Sequence, residues 1–250
     1  MSDEQSLDRQ SLDKQSLREQ IWRRIDADPA VRTAVPPRGR IPGFQGADAA
    51  AERLSELDEW RGARVLKLNP DTPQLPVRRR AIEQGKLLYM AVPKLASALP
   101  FVTLEQRSLS VSAELAASIE GSQRYGVPTR IEDLEAVDLI VCGTVAVNPS
   151  GVRIGKGAGY ADLEFALLAE LGLVTERTQI ATTVHDVQVL EQPLPETAHD
   201  FRVDLIVTPT RVLRCARAPR PSGLFWEHLD AEKIAAIPAL AARKRSHLRH

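Results

Sequence analysis

Apolar residues recur at three- and four-residue spacing near the start of the chain. Between Leu17 and Ile25 they fall on one side of a helical projection, with arginines on the other side. This pattern predicts an amphipathic helix that ends near Asp28. Residues 1–13 instead carry a polar near-repeat, SLDRQ followed by SLDKQ. Because this stretch has no apolar face to bury, we expect a polar flexible tail there.

Farther along, short apolar runs alternate with helical patterns. The runs predict strands over 63–68, 87–93, 137–143, 180–185 and 203–215, and the helical patterns predict helices over 48–57, 77–84, 160–171 and 231–242. Strands joined through helices run parallel. We therefore predict an α/β domain over 14–218 with a central, mostly parallel sheet. Residues 219–250 follow as a C-terminal appendage with one helix.

Composition narrows the function classes. The chain has 250 residues, of which 43% are hydrophobic and 26% are charged, as is typical of a soluble globular protein. Its 33 basic and 33 acidic residues balance, which argues against nucleic acid or an anionic membrane as a partner. The basic clusters at 78–80 and 243–245 are expected to be solvated helix faces. No signal sequence or membrane span is apparent, so we expect a cytoplasmic protein.

The segment over 151–162 carries the strongest chemical signal. It reads Gly-Val-Arg-Ile-Gly-Lys-Gly-Ala-Gly-Tyr-Ala-Asp and runs into the first turn of the helix predicted over 160–171. Glycines let backbone amides approach a ligand, and a helix start directs free N–H groups toward it. Arg153 and Lys156 add the positive charge that a polyphosphate needs. The spacing matches neither GxxxxGK[ST] nor GxGxxG, and a purely structural glycine turn is the alternative interpretation.

The same segment resembles the hallmark of the 5-formyltetrahydrofolate cyclo-ligase family, G-x-R-x-G-x-G-x-G-Y-Y-D. Two more family signatures fit, K-x-x-L-R at 14–18 and H-D-x-x-V-D at 199–204. The resemblance covers roughly residues 14–215. It implies a three-layer α/β sandwich like that of CoA-transferase-like proteins. It also implies an enzyme that uses MgATP to convert 5-formyltetrahydrofolate into 5,10-methenyltetrahydrofolate, with ADP and phosphate released.

The resemblance also implies roles for individual residues. It assigns Lys14 and Arg18 to the ATP phosphates, and Asp162 and Asp200 to Mg²⁺. The loop residues implied to bind ATP are Gly155, Lys156, Gly157, Ala158, Gly159 and Tyr160. Those implied to act in the transfer itself are Arg153, Lys156 and Tyr160.

The match weakens where the family contacts folate. Ala161 stands where the motif has its second tyrosine, and Asp71 stands near the position of a folate-contacting glutamate, one methylene shorter. One interpretation is a cyclo-ligase that takes a folate-type substrate. The other is a divergent paralogue that binds nucleotide without folate turnover, as in a branch linked to thiamine-related metabolism. Either would be a monomer or a homodimer.

Overall fold

The computed structural model describes residues 3–247, and side chains over 13–245. The strands in this part of the chain are β1 (Val65–Leu68), β2 (Leu87–Ala91), β3 (Phe101–Leu104), β4 (Val127–Thr129), β5 (Leu139–Cys142), β6 (Ala146–Val147), β7 (Arg153–Ile154), β8 (Gln179–Thr183), β9 (Leu205–Val207) and β10 (Val212–Arg214). The α-helices are α1 (Asp3–Ala27), α2 (Ala47–Ser55), α3 (Asp58–Gly62), α4 (Leu75–Glu83), α5 (Ala113–Ala117), α6 (Ile119–Tyr125), α7 (Tyr160–Glu170), α8 (Ala231–Ala236) and α9 (Pro238–His247).

A single large sheet organises the molecule. Its eight strands lie in the order β10-β9-β8-β5-β1-β2-β3-β4. The five neighbours β9, β8, β5, β1 and β2 run parallel, and the strands at both edges are antiparallel. This arrangement confirms the predicted α/β fold with a mostly parallel central sheet. The short strands β6 and β7 form a separate antiparallel hairpin that leads into the glycine-rich segment.

Helices cover both faces of the sheet, which explains the apolar runs in the sequence. Every residue of β1 and of β5 is buried. Neighbouring residues of β1 enter different core clusters: Val65 packs on the side that includes Phe165 of α7. Leu66 packs on the side that includes Val77 of α4. The result is the three-layer arrangement of helices, sheet and helices that was expected.

The first helix and the last strand differ from the prediction. Helix α1 begins at Asp3. Most of the segment over 1–13, which was expected to be a flexible tail, is therefore helical in the structure. The predicted strand over 203–215 is two strands, β9 and β10, which pair antiparallel with Val212 opposite Val207. Pro209 lies in the turn between them, where its missing N–H removes no ladder hydrogen bond.

The C-terminal appendage contains two helices instead of one. Ile237 has extended backbone angles, with φ −111° and ψ 104°, and separates α8 from α9. The next residue is Pro238, which disfavours helical geometry in the residue before it. Ile237 and Leu240 are nevertheless fully buried in the core cluster that contains α7. The appendage is therefore packed against the domain. No helix within residues 3–247 is both long and apolar enough to cross a membrane.

Candidate active site

A cavity of about 1050 Å³ opens at the carboxyl edge of the parallel strands. The residues that follow β1, β2 and β5 line it, as expected for ligand sites in parallel sheets. Helix α1, the glycine-rich segment and residues 227–230 complete the wall. Every site residue named from the sequence lines this cavity: Lys14, Arg18, Asp71, Arg153, Gly155, Lys156, Gly157, Ala158, Gly159, Tyr160, Asp162 and Asp200.

The glycine loop, defined here as residues 155–159, has the backbone geometry expected of an anion site. Gly157 has φ +105° and Gly159 has φ +69°, both in the region that favours glycine. Gly159 is the N-cap of α7, and no side chain caps that helix end. The first amides of α7 are thus left without an intrahelical or side-chain acceptor. They are available to an anion in the cavity.

Arg18 brings a buried positive charge to the glycine loop. Its side chain is only 8% exposed, and its Nε donates to the carbonyl oxygen of Gly155 at 2.7 Å. Burial lowers the pKa of Arg18, although the charge of Asp200 opposes that shift. The helical spacing places Lys14 on the same face of α1, one turn earlier. Helix α1 therefore delivers two cations to one wall of the cavity.

Lys14 forms an ion pair with Asp200, and both side chains are largely buried. Thr197 also donates to Asp200 Oδ2, through its backbone N–H at 2.6 Å and through its hydroxyl at 2.9 Å. Burial acts to raise the pKa of Asp200, but Lys14 and these hydrogen bonds outweigh it and the pKa is lowered. Asp200 is therefore ionised at neutral pH.

Arg153 is held by its own neighbours. Its Nη2 donates to Asp162 Oδ1 at 2.6 Å, and its guanidinium carbon lies 4.0 Å from the ring centre of Phe201. Its Nε is buried without a hydrogen-bond partner in the described residues. Burial acts to lower the pKa of Arg153, but Asp162, Cys142 and Asp200 together outweigh it and the pKa is raised. Arg153 is therefore held in a fixed position and stays positively charged.

The two carboxylates expected to hold Mg²⁺ are both paired with cations, Asp162 with Arg153 and Asp200 with Lys14. Across the described residues there is no group of three or more metal-ligating side chains. Mg²⁺ is commonly held by one or two carboxylates together with substrate phosphates and waters. The donor set fits that mode, and the assignment of Asp162 and Asp200 stays a prediction.

Asp71 faces the glycine loop. Its Oδ1 accepts a hydrogen bond from Lys156 Nζ at 2.9 Å. Gly143, the residue after β5, leaves room for the Asp71 carboxylate, because a Cβ there would lie 2.6 Å from Asp71 Oδ2. The structure thus joins the residue implied to contact folate to a cation implied to contact ATP.

Arg78 fixes the loop that carries Asp71, and the sequence analysis missed it. It was expected on a solvated helix face but is 1% exposed. Its Nη1 donates to the carbonyl oxygens of Asn69 and Asp71, both at 2.8 Å. Burial lowers the pKa of Arg78 to about 10, against the raising effect of Asp71. The signal was available, because Arg78 shares a helix face with the buried Ala81 and Ile82.

A buried polar group under the cavity was also missed. Lys67 of β1 forms an ion pair with Glu164 of α7, and both are almost fully buried. Asn69 Nδ2 donates to the same carboxylate at 3.2 Å. A lysine inside an apolar strand was the available signal, since a buried ammonium needs a partner.

The comparisons with known proteins agree with this geometry. The sequence model of the 5-formyltetrahydrofolate cyclo-ligase family matches residues 10–209. The chain belongs to this family. The site residues named above all fall inside the range matched by the cyclo-ligase model. The segment that follows β10, including α8 and α9, lies outside it.

Two relatives share one name, methenyltetrahydrofolate synthase domain-containing protein. The Bos taurus protein is 38% identical over 228 residues, covering 89% of this chain and 59% of its own length. The Homo sapiens protein is 37% identical over 227 residues, with the same shares covered. The chain thus spans about three fifths of the length of these relatives.

A solved structure is similar in fold. The 5,10-methenyltetrahydrofolate synthetase of Aquifex aeolicus superposes with a TM-score of 0.53 at 23% identity. The superposition covers 86% of this chain and 99% of that protein. At this identity the likeness supports the α/β cyclo-ligase fold.

Proposed function

We propose that the chain is an ATP-dependent cyclo-ligase that acts on 5-formyltetrahydrofolate or a closely similar formylated pterin. One observation carries the proposal: each of three separate family signatures contributes residues to the lining of a single cavity. The products would be 5,10-methenyltetrahydrofolate, ADP and phosphate. In this reaction ATP supplies the phosphoryl group that makes the formyl oxygen a leaving group.

The chain's own contribution would be alignment and charge neutralisation, the main demands of phosphoryl transfer. The uncapped amides at the start of α7 and the Lys156 ammonium face the place where phosphate charge would lie. Lys14 and Arg18 approach the loop from α1, so positive charge would surround the phosphates on two sides. No covalent nucleophile is needed, because N10 of the substrate attacks the activated carbon. Tyr160 would help to position the transferred group.

A divalent cation would share these phosphates. Asp162 and Asp200 would hold Mg²⁺, and Asp200 would exchange its Lys14 partner for the ion. The ion would neutralise further charge on the phosphate oxygens. Arg153 would keep Asp162 oriented toward the cavity through its 2.6 Å hydrogen bond. These assignments rest on the family motifs and on the shared cavity.

One observation favours the second candidate, a paralogue that binds nucleotide without folate turnover. Asp71, the carboxylate proposed to contact the pterin, is engaged by Lys156. Binding of the pterin would then compete with this ion pair. The two candidates share the phosphate site and differ only in whether a folate is turned over.

Turnover distinguishes the two candidates. The test follows the absorbance of methenyltetrahydrofolate with MgATP and 5-formyltetrahydrofolate, with each reactant omitted in turn. The cyclo-ligase proposal expects product only when both are present, and expects Lys156→Met to remove it. Nucleotide binding without product in the wild type would support the paralogue instead. Absence of both binding and product would refute both candidates.

A further inference from the structure

The C-terminal segment, defined here as residues 224–236, forms one wall of the candidate active site. Glu227, His228, Leu229 and Asp230 line the cavity. The family match ends at residue 209, so this wall is an addition to the matched domain. The site of this chain therefore contains residues that the family motifs do not name.

The segment is held firmly against α7, the helix that begins at the glycine loop. The backbone N–H of Leu224 donates to Glu170 Oε1 at 3.2 Å. Just beyond the segment, Ile237 and Leu240 are buried in the same core cluster as Leu167 of α7. The position of the segment is thus tied to the helix whose first turn faces the cavity.

Lys233 connects this wall to the glycine loop. Its backbone N–H donates to Asp230 Oδ1 at 2.6 Å, which caps α8 and fixes the start of that helix. Its Nζ donates to the carbonyl oxygen of Ala158 at 2.9 Å and lies 5.4 Å from the ring centre of Tyr160. No ion pair of Lys233 occurs among the side chains described. The Lys233 ammonium therefore contacts the Ala158 carbonyl and the Tyr160 ring, beside the predicted phosphate site.

The hydrogen bond to Ala158 sets the direction of a loop amide. In a trans peptide the carbonyl and the following N–H point in opposite directions, and the described backbone contains no cis peptide. Holding the Ala158 carbonyl therefore fixes the N–H of Gly159, pointing away from Lys233. Arg18 acts in the same way at the other end of the loop, on the carbonyl of Gly155.

We propose that Lys233 is a positioning residue that clamps the glycine loop for a polyphosphate ligand. The C-terminal segment thereby completes the phosphate site within the same chain. This inference rests on the proposed function, because the ligand it serves is the triphosphate of ATP. A loop held at both ends has less freedom to lose when an anion binds, so the clamp raises affinity through preorganisation.

The test compares the wild type with Lys233→Ala and Lys233→Arg. Lys244→Ala is the matched control, because Lys244 belongs to the same appendage but packs on Trp226, outside the cavity. Calorimetric titration measures the affinity for MgATP and for tripolyphosphate, a ligand that is all phosphate. Amide hydrogen exchange of residues 155–160 is measured without ligand, and the melting temperature reports on folding.

The clamp predicts that Lys233→Ala weakens both ligands by about three- to ten-fold, the range for a partly exposed charged hydrogen bond. Loop exchange should accelerate, the unliganded melting temperature should stay the same, and Lys233→Arg should recover most of the affinity. Wild-type affinity and exchange in Lys233→Ala would overturn the inference. If the wild type binds neither ligand, the proposed function fails. The clamp is then judged from amide exchange alone, and unchanged loop exchange in Lys233→Ala would overturn it.

Discussion

Replacing Gly157 with alanine should weaken nucleotide binding far more than it destabilises the fold. Gly157 has φ +105°, beyond the left-handed region that other residues visit. An added Cβ would also lie 3.3 Å from Cζ of Arg18. That guanidinium cannot easily withdraw, because its Nε is bonded to the Gly155 carbonyl at 2.7 Å. The substitution therefore strains the loop backbone and presses on a fixed neighbour.

The magnitude follows from the backbone strain. A residue forced into such a conformation costs about 1–3 kcal/mol. Without ligand the loop can relieve this strain by giving up its hydrogen bond to Lys233. Loss of that bond alone is not expected to change the melting temperature, so little of the cost should appear there. With ligand the loop must return to its original geometry, so the cost should appear in binding. A loss of 1–3 kcal/mol corresponds to roughly 5- to 150-fold weaker ATP affinity.

Calorimetric titration of MgATP into wild type and Gly157→Ala measures this loss. Gly62→Ala is the control, because nothing lies within 4 Å of a Cβ at that position and its φ is not positive. It should bind ATP as the wild type does. Equal affinity in Gly157→Ala and the wild type would refute the argument that this loop geometry is needed for the nucleotide.

Three further outcomes are expected. Lys14→Ala should lower the free energy of unfolding by on the order of 3 kcal/mol in chemical denaturation, because it leaves the buried Asp200 carboxylate unpaired. Because the pKa of Asp200 is lowered, ionised Asp200 stabilises the fold above about pH 4, and this contribution to the free energy of unfolding is lost as pH falls through the folded pKa. Asp200→Asn should flatten that part of the pH–stability curve. Asp71→Ala should abolish methenyltetrahydrofolate formation while ATP still binds, and unchanged turnover would exclude Asp71 as the pterin contact.

Much of the fold was predictable because strands buried on both faces leave continuous apolar runs. The parallel pairing of β1 with β2 followed from the helix between them. Two of the misplaced boundaries depend on single prolines: Pro209 separates β9 from β10, and Pro238 separates α8 from α9. Apolar periodicity continues across both prolines. The pattern alone therefore predicted one strand over 203–215 and one helix over 231–242, where the structure has two of each.

The candidate site was predictable where chemistry follows a local motif. The glycine loop needs its glycines in one short segment, and such a segment can be recognised. Arg78 and Lys233 act through backbone carbonyls of residues distant in sequence or on another element. A carbonyl is present at every residue, so the identity of the acceptor leaves no trace in the sequence. Such contacts become visible only when the fold brings the two segments together.

The fate of the formyl oxygen tests the central claim most directly. If the phosphoryl group of ATP is transferred to that oxygen, the oxygen must leave with the phosphate when N10 closes the ring. The measurement uses 5-formyltetrahydrofolate carrying ¹⁸O in its formyl group, with MgATP and the wild-type chain, and determines the label in released phosphate by mass spectrometry. The account predicts one labelled oxygen in the phosphate for each methenyltetrahydrofolate formed. Unlabelled phosphate would mean that ATP is hydrolysed by water, and would contradict the account.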